Sequence, residues 1–260
     1  MTPALADLRA GLFLHAVIPL LDVVVAERGL PRWLFARTRA AVQFEVAGGD
    51  AVHLELDHGA GSAHRGRHPS PDVTLAFADA PALNRFLSGR GGFPSVRGLF
   101  PRPVLAAKVL ALLGALRLMQ PELRLSDAAD RALRVKLLLF MATRGLSQLN
   151  RMGHPGVRRF AEASPERVYQ WTVRENGTAA YLRVSGGRTR AGRGAYAHRA
   201  PFVHFVFPTV DAADRVLTRA AGPMEAVERG WIATEGSPEY SRSIGRLLQE
   251  MDNILQGAES

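Results

Sequence analysis

Residues 71–87, PDVTLAFADAPALNRFL, return in altered form at 201–217 as PFVHFVFPTVDAADRVL. The two stretches agree at Pro71/Pro201, Val73/Val203, Phe77/Phe207, Ala82/Ala212, Arg85/Arg215 and Leu87/Leu217, where chance gives about one match in a window this long. A chain that repeats itself in this way folds as two like halves. Each copy opens with alternating apolar residues (Val73, Leu75 and Phe77; Val203, Phe205 and Phe207), the period of a strand with one buried face. A helix then begins behind an N-cap at Asp79 or Thr209, with apolar residues at helical spacing beyond it.

The flanking chain repeats as well. AVQFEV (41–46), the turn at Gly48 and Gly49, and AVHLEL (51–56) read as a hairpin; VYQWTV (168–173), the turn 175–177, and AAYLRV (179–184) read as another. A helix precedes each hairpin, at 5–27 and at 127–150. Phe44 aligns with Trp171, and the longer spacing from there to Pro201 than from Phe44 to Pro71 requires extra residues in an intervening loop. Farther on, Arg97-Gly98-Leu99-Phe100 reads as the counterpart of Arg229-Gly230-Trp231-Ile232, each followed by a closing helix. Ser237, Pro238 and Glu239 start the last helix well, and Ile244, Leu247, Leu248, Met251, Ile254 and Leu255 form its apolar stripe. The other closing helix, 104–119, is apolar nearly all round and is expected to be covered on every side, by the other half, by ligand or by lipid.

The 260 residues are 47% hydrophobic and 22% charged, enough for two domains with cores of their own, divided as 1–125 and 126–260. The absence of cysteine excludes disulfides, thiolate metal sites and cysteine nucleophiles, and fits a reducing cytoplasm. The net charge of +9 favours anionic partners by long-range attraction. Residues 11–26, interrupted by His15, Pro19 and Asp22, read as a buried helix shorter than a membrane span.

"Pro-Asp-Val-Thr-Leu" at 71–75, a short helix ending in Leu87-Ser88-Gly89, a strand around Gly98 and an apolar closing helix resemble the sterol carrier protein 2 (SCP2) family, over roughly residues 40 to 118. The second half departs from the pattern, with Phe202 where the family prefers Asp and Arg219-Ala220-Ala221 where it has a glycine, and is assigned by its likeness to the first. The resemblance implies an α+β fold: in each half a mostly antiparallel five-stranded sheet with helices on one face and a hydrophobic tunnel between them that takes sterols, fatty acids or acyl-CoA. Candidate lining residues are Phe77, Phe86, Phe93, Leu99, Phe100 and Leu105 in the first half. In the second they are Phe205, Phe207, Val216, Met224, Trp231 and Tyr240, with plain core packing as the alternative for each.

Other constellations carry less chemistry. His53, His58, His64 and His68 cluster in sequence, but the spacing of His64 and His68 suits a metal only on a helix, and Gly66 opposes one. Residues 186–194, GGRTRAGRG, read as a solvated loop whose amides and guanidinium groups suit an anionic headgroup. They lack the Lys-Ser/Thr ending of a phosphate loop. Only Tyr196 stands near these arginines, so nucleic-acid binding is not expected. Asp127/Asp130 and Asp211/Asp214 sit at i, i+3 in first helical turns, where acids serve the macrodipole and solvent. His204 alternates away from Phe205 and Phe207, and Tyr240 is the other polar candidate.

With no nucleophile, metallopeptidase or cofactor motif, and so no cofactor expected, the chain reads as a cytoplasmic carrier of a bulky apolar molecule (sterol, polyprenoid or acyl lipid) that visits a membrane transiently. Two alternatives stay open: an isomerase or cyclase working in the same pocket, and an accessory module that holds a lipid or quinone precursor for partner enzymes.

Overall fold

The structure, a computed structural model, describes residues 4–27, 29–98 and 102–257. It divides into two compact units, Ala4–Arg117 and the chain from Leu118 onward.

The first unit begins with a helical run, Leu5–Glu27. At 23 residues the run is longer than the apolar stretch 11–26 and passes the length and composition test for a membrane span, correcting the sequence expectation; 83% of its most apolar window is nevertheless buried within the protein. The run is irregular for a local reason. Pro19 has no N–H to donate and its ring crowds the carbonyl of His15. Helix therefore widens to a π turn over Phe13–Val17 and tightens to 3-10 over Ile18–Leu20 before resuming at Leu21–Glu27.

Five strands follow: β1 (Arg39–Val46), β2 (Ala51–Asp57), β3 (Ala60–Arg65), β4 (Val73–Phe77) and β5 (Ser95–Arg97), in the order β3-β2-β1-β4-β5. The second unit places the helix Ala128–Arg151 before β6 (Arg167–Val173), β7 (Ala179–Ser185), β8 (Arg188–Arg193), β9 (Val203–Phe207) and β10 (Ala233–Gly236), in the order β8-β7-β6-β9-β10. The chain takes the same path through both sheets. Each is mixed: β1 with β4 and β6 with β9 run parallel, and the remaining pairs antiparallel. β4 and β9 each arrive, after a meander of three strands, on the open edge of the strand that began the sheet.

Registers match too. Val42, Phe44 and Val46 lie beside Val73, Leu75 and Phe77; Tyr169, Trp171 and Val173 lie beside Val203, Phe205 and Phe207. These residues are buried at 0–8% exposure and form the inner face of each sheet, on which the helices pack. The extra residues of the second half fall in two places. One is in the β6–β7 turn, since Gln43 faces His53 while Gln170 faces Tyr181; the others precede β9.

Caps follow the sequence reading. The Asp79 carboxylate accepts from the Ala82 N–H at 2.6 Å, the Thr209 hydroxyl from Ala212 at 3.1 Å and the Asp127 carboxylate from Ala129 at 2.8 Å. Two expectations are corrected. Residues 188–193 of the glycine-rich segment form strand β8, with Gly186 and Gly187 at positive φ as the turn from β7. The apolar closing helix, Pro103–Gly114, leaves Val104 67% and Leu110 47% exposed, with Ala107 and Ala111 exposed on the same side, a face that the chain's own packing does not cover. Finally, Gly98 corresponds to Gly236 and not to Gly230. A Cβ on Gly98 would lie 2.2 Å from the Asp72 carbonyl oxygen, and one on Gly236 2.2 Å from that of Phe202. Arg229 and Gly230 instead end an inserted helix, Pro223–Glu228.

Candidate functional site

The candidate lining residues of the first half form a series of rings leading from core to surface. Phe77, at the end of β4, is 1% exposed; its ring lies 5.4 Å from that of Phe86, on the helix Ala80–Leu87, and Phe86 lies 6.4 Å from Phe93. Phe93 stands 87% exposed in the glycine-rich link to β5. Leu105 is buried on the closing helix, and Leu99 and Phe100 lie outside the described residues.

The second half does not repeat the series. Phe205 stacks on Trp171 at 5.1 Å and, with Phe207, belongs to the buried inner face. Val216 takes the place of Phe86 and is half-buried, while Met224 is 73% exposed on the inserted helix. Half-buried Trp231 has the guanidinium groups of Arg215 and Arg229 at 5.3 and 5.1 Å from its ring. Tyr240 meets Phe202 edge-on at 5.3 Å, and the Arg167 guanidinium lies 4.0 Å from one ring and 3.9 Å from the other.

The outer face of each sheet is organised by a buried glutamine that sequence reasoning overlooked. Gln43 accepts from the His68 N–H at 2.8 Å and donates to Glu45 at 2.7 Å; Gln170 accepts from the Tyr196 N–H at 2.8 Å and donates to Thr172 at 3.2 Å. Each ties the loop before the parallel strand to the central strand. The available signal was a glutamine at the same point of the first strand of each half. Around Gln43, His53 stacks on His64 at 5.3 Å and meets His68 at 5.2 Å, with Glu55 within 4.0 Å of all three. His53 and His64 face each other across β2 and β3, so strand geometry gathers what a helix was expected to require. Among the described residues, no group of three or more has the arrangement to hold a metal ion. On the second sheet Tyr181 covers Gly192 and meets Tyr196 at 5.0 Å. His204 lies on this outer face as alternation requires, 2.9 Å from the Thr172 hydroxyl and 3.3 Å from Glu235.

Of the paired acids, Asp214 is not a solvent-facing first-turn carboxylate. It is 8% exposed and holds Arg134, 4% exposed, through bonds of 2.7 and 2.5 Å, while Asp211 takes Arg131 at 3.0 Å. Displaced pKa values arise at separate points. Burial holds the His154 imidazole below its ordinary value against the raising effect of Glu250. Burial pushes the Tyr169 phenol up, and it raises the Asp252 carboxyl, against which Arg219 acts.

The first unit also holds an open cleft of about 390 Å³. Arg37, Thr38, Arg39 and Ala40, leading into β1, form one wall; Arg102, Val104, Leu105 and Lys108 lie opposite. Lys108 Nζ is held by the Leu34 carbonyl at 2.6 Å and lies 3.4 Å from the Thr38 hydroxyl, while Arg102 pairs with Asp72 at 2.8 Å. The Arg-Thr-Arg run that enters the first strand was the sequence signal for it.

Fold and sites together define a two-unit α+β protein with one mixed five-stranded sheet in each unit. No family model and no curated protein sequence matches the chain. Among solved structures, a UbiJ SCP2 ubiquinone-synthesis protein aligns with 43% of this chain and 92% of its own at 13% identity and a TM-score of 0.30. The stereoselective inverting sec-alkylsulfatase Pisa1 from Pseudomonas sp. aligns with 65% of this chain but only 30% of its own, at 11% identity and a TM-score of 0.27. A double mutant of that sulfatase aligns over the same shares at 13% identity and 0.28.

Proposed function

We propose that the chain is built of two tandem SCP2-like units, 1–125 and 126–260, and that it binds a bulky apolar molecule (sterol, polyprenoid or acyl lipid) and carries or presents it. The observation that carries this reading is the ring series Phe77, Phe86 and Phe93, an apolar track continuous with the core at one end and open to solvent at the other. Covering a ring as exposed as that of Phe93 is worth about 2 to 3 kcal/mol to a bound apolar molecule. Leu105 is the further described candidate for the proposed lining, Leu99 and Phe100 lie outside the described residues, and Phe205, Phe207, Val216, Met224, Trp231 and Tyr240 are the candidates for a second. Carriage is preferred to catalysis because the described imidazole, phenol and carboxyl groups with displaced pKa values belong to the second half, whereas this track belongs to the first. The protein works in the cytoplasm and reaches membranes transiently, and partner enzymes of lipid or quinone synthesis are the proposed recipients.

Native mass spectrometry of the purified protein tests the reading. A copurifying apolar adduct that diminishes in Phe93→Ser is the expected result. A folded protein that carries no adduct and takes up neither a fluorescent sterol nor a fluorescent fatty acid rejects it.

A further inference from the structure

The cleft between the approach to β1 and the closing helix of the first unit is a cationic site with an apolar rim. Arg37, Arg39, Arg102 and Lys108 are four of its lining residues, and among the described residues no carboxylate lines it. Asp72 partly offsets Arg102 from outside; Lys108 is oriented by a carbonyl and a hydroxyl, which fix the ammonium without cancelling its charge. Arg37 and Arg39 are exposed, and Asp57 stands opposite Arg39 in the β1–β2 register. A concave site with a surplus of positive charge suits a compact anion that accepts several hydrogen bonds, which describes a phosphoryl group.

The second half shows how the same corner looks when it is closed. By strand register Ala40 corresponds to Arg167, Arg39 to Glu166 and Asp72 to Phe202. There Glu166 takes Arg183 and Arg199, at 2.8 and 3.2 Å, and Arg167 fills the corner between Phe202 and Tyr240. In the first half the small Ala40 leaves the space open and arginine replaces the glutamate. Beside the cleft the helix Pro103–Gly114 exposes Val104 and Leu110, and Trp33 is 72% exposed on the helix Gly29–Phe35, whose Leu34 carbonyl holds Lys108. Exposed tryptophan and aliphatic residues around a cationic hollow fit the boundary between headgroups and acyl chains.

We propose that this cleft binds a phosphoryl group, presented by a lipid headgroup at a membrane surface. The site stands on its own residues; it rests on the function proposed above only in taking a lipid as the source of the phosphate.

Sedimentation with phosphatidylcholine vesicles, with and without phosphatidic acid, is compared with calorimetry against inorganic phosphate and glycerol phosphate, using the full chain. Phosphatidic acid is expected to promote binding, and Arg37→Gln with Arg39→Gln, exposed positions that leave the fold intact, to weaken it about tenfold or more. Ala40→Arg separates a built site from general attraction, because it adds charge while closing the cleft as Arg167 does in the other half. Weaker binding in folded Ala40→Arg supports the site, and stronger binding overturns it in favour of diffuse electrostatics. If Ala40→Arg does not fold, the double glutamine variant decides: unchanged binding overturns the proposal. Saturable binding of the soluble phosphates, lost in the same variants, keeps the site and assigns it to a free phosphate; no binding in any arm overturns it. An apolar adduct that persists in the double variant while vesicle binding is lost ties the two results to separate sites, and an absent adduct with intact headgroup binding rejects only the carrier reading.

Discussion

At Gly98 and Gly236 the backbone runs at φ +83 and +99, and the space for a side chain is taken by a carbonyl oxygen of the neighbouring strand. Neither strain can be relieved by moving a flexible group, because both obstacles are backbone. Gly236→Ala is therefore expected to cost about 2 kcal/mol or more, and thermal denaturation should show it as a lowered Tm. Gly114 is the contrast: it ends a helix, and a Cβ there meets nothing within 4 Å. Gly114→Ala should stabilise the protein by about 0.5 to 1 kcal/mol in the same measurement. One position breaks the pattern between the halves. Arg219, at φ +59, occupies the place of Gly89 at φ +70, and its guanidinium pairs with Asp252 at 2.6 Å, an interaction that offsets the left-handed backbone.

The elements of each half are joined by different chemistry at equivalent points. On the helix Ala80–Leu87, Asn84 donates to the Ala6 carbonyl at 2.9 Å; on the helix Val210–Leu217 its counterpart Asp214 instead holds Arg134 in a buried ion pair. Asp214→Ala strands the guanidinium and is expected to cost about 3 to 5 kcal/mol in denaturant unfolding. Replacing both partners by apolar residues of similar volume should recover much of that loss. A second joint responds to acid. His154 caps the helix Pro155–Ala163 by accepting from the Val157 N–H at 3.5 Å, which requires an unprotonated Nδ1. Since folding lowers its pKa, the unfolded chain binds the proton first, and His154 withdraws stability as pH falls through its ordinary value of 6.5. His154→Asn keeps the cap without the titration, so the loss of stability between pH 7 and 5 should be smaller in the variant.

On the scale of the whole molecule, each unit holds a complete sheet with its own helices and is of ordinary domain size. Expressed separately, residues 1–117 and 118–260 should each unfold cooperatively, with the slowest amide exchange in the central strands β1 and β6; a fragment without a cooperative transition would contradict this. How much of this was legible beforehand follows from the range of the forces involved. Alternation in β1, β2, β4, β6, β7 and β9, the caps at Asp79, Thr209 and Asp127, and the echo between the halves were readable because each records chemistry between residues close along the chain. The edge strands β3 and β8 were not. They are held by main-chain bonds to β2 and β7, and their exposed side chains carry no apolar period. The inserted helix Pro223–Glu228 hid the match of Gly98 with Gly236, which depends on a carbonyl brought in by another strand. The amino-acid sequence by itself thus determined the local elements and their repetition. Tertiary structure alone decided which corner stays open, because Ala40 leaves, and Arg167 occupies, a volume bounded by residues far away in the chain.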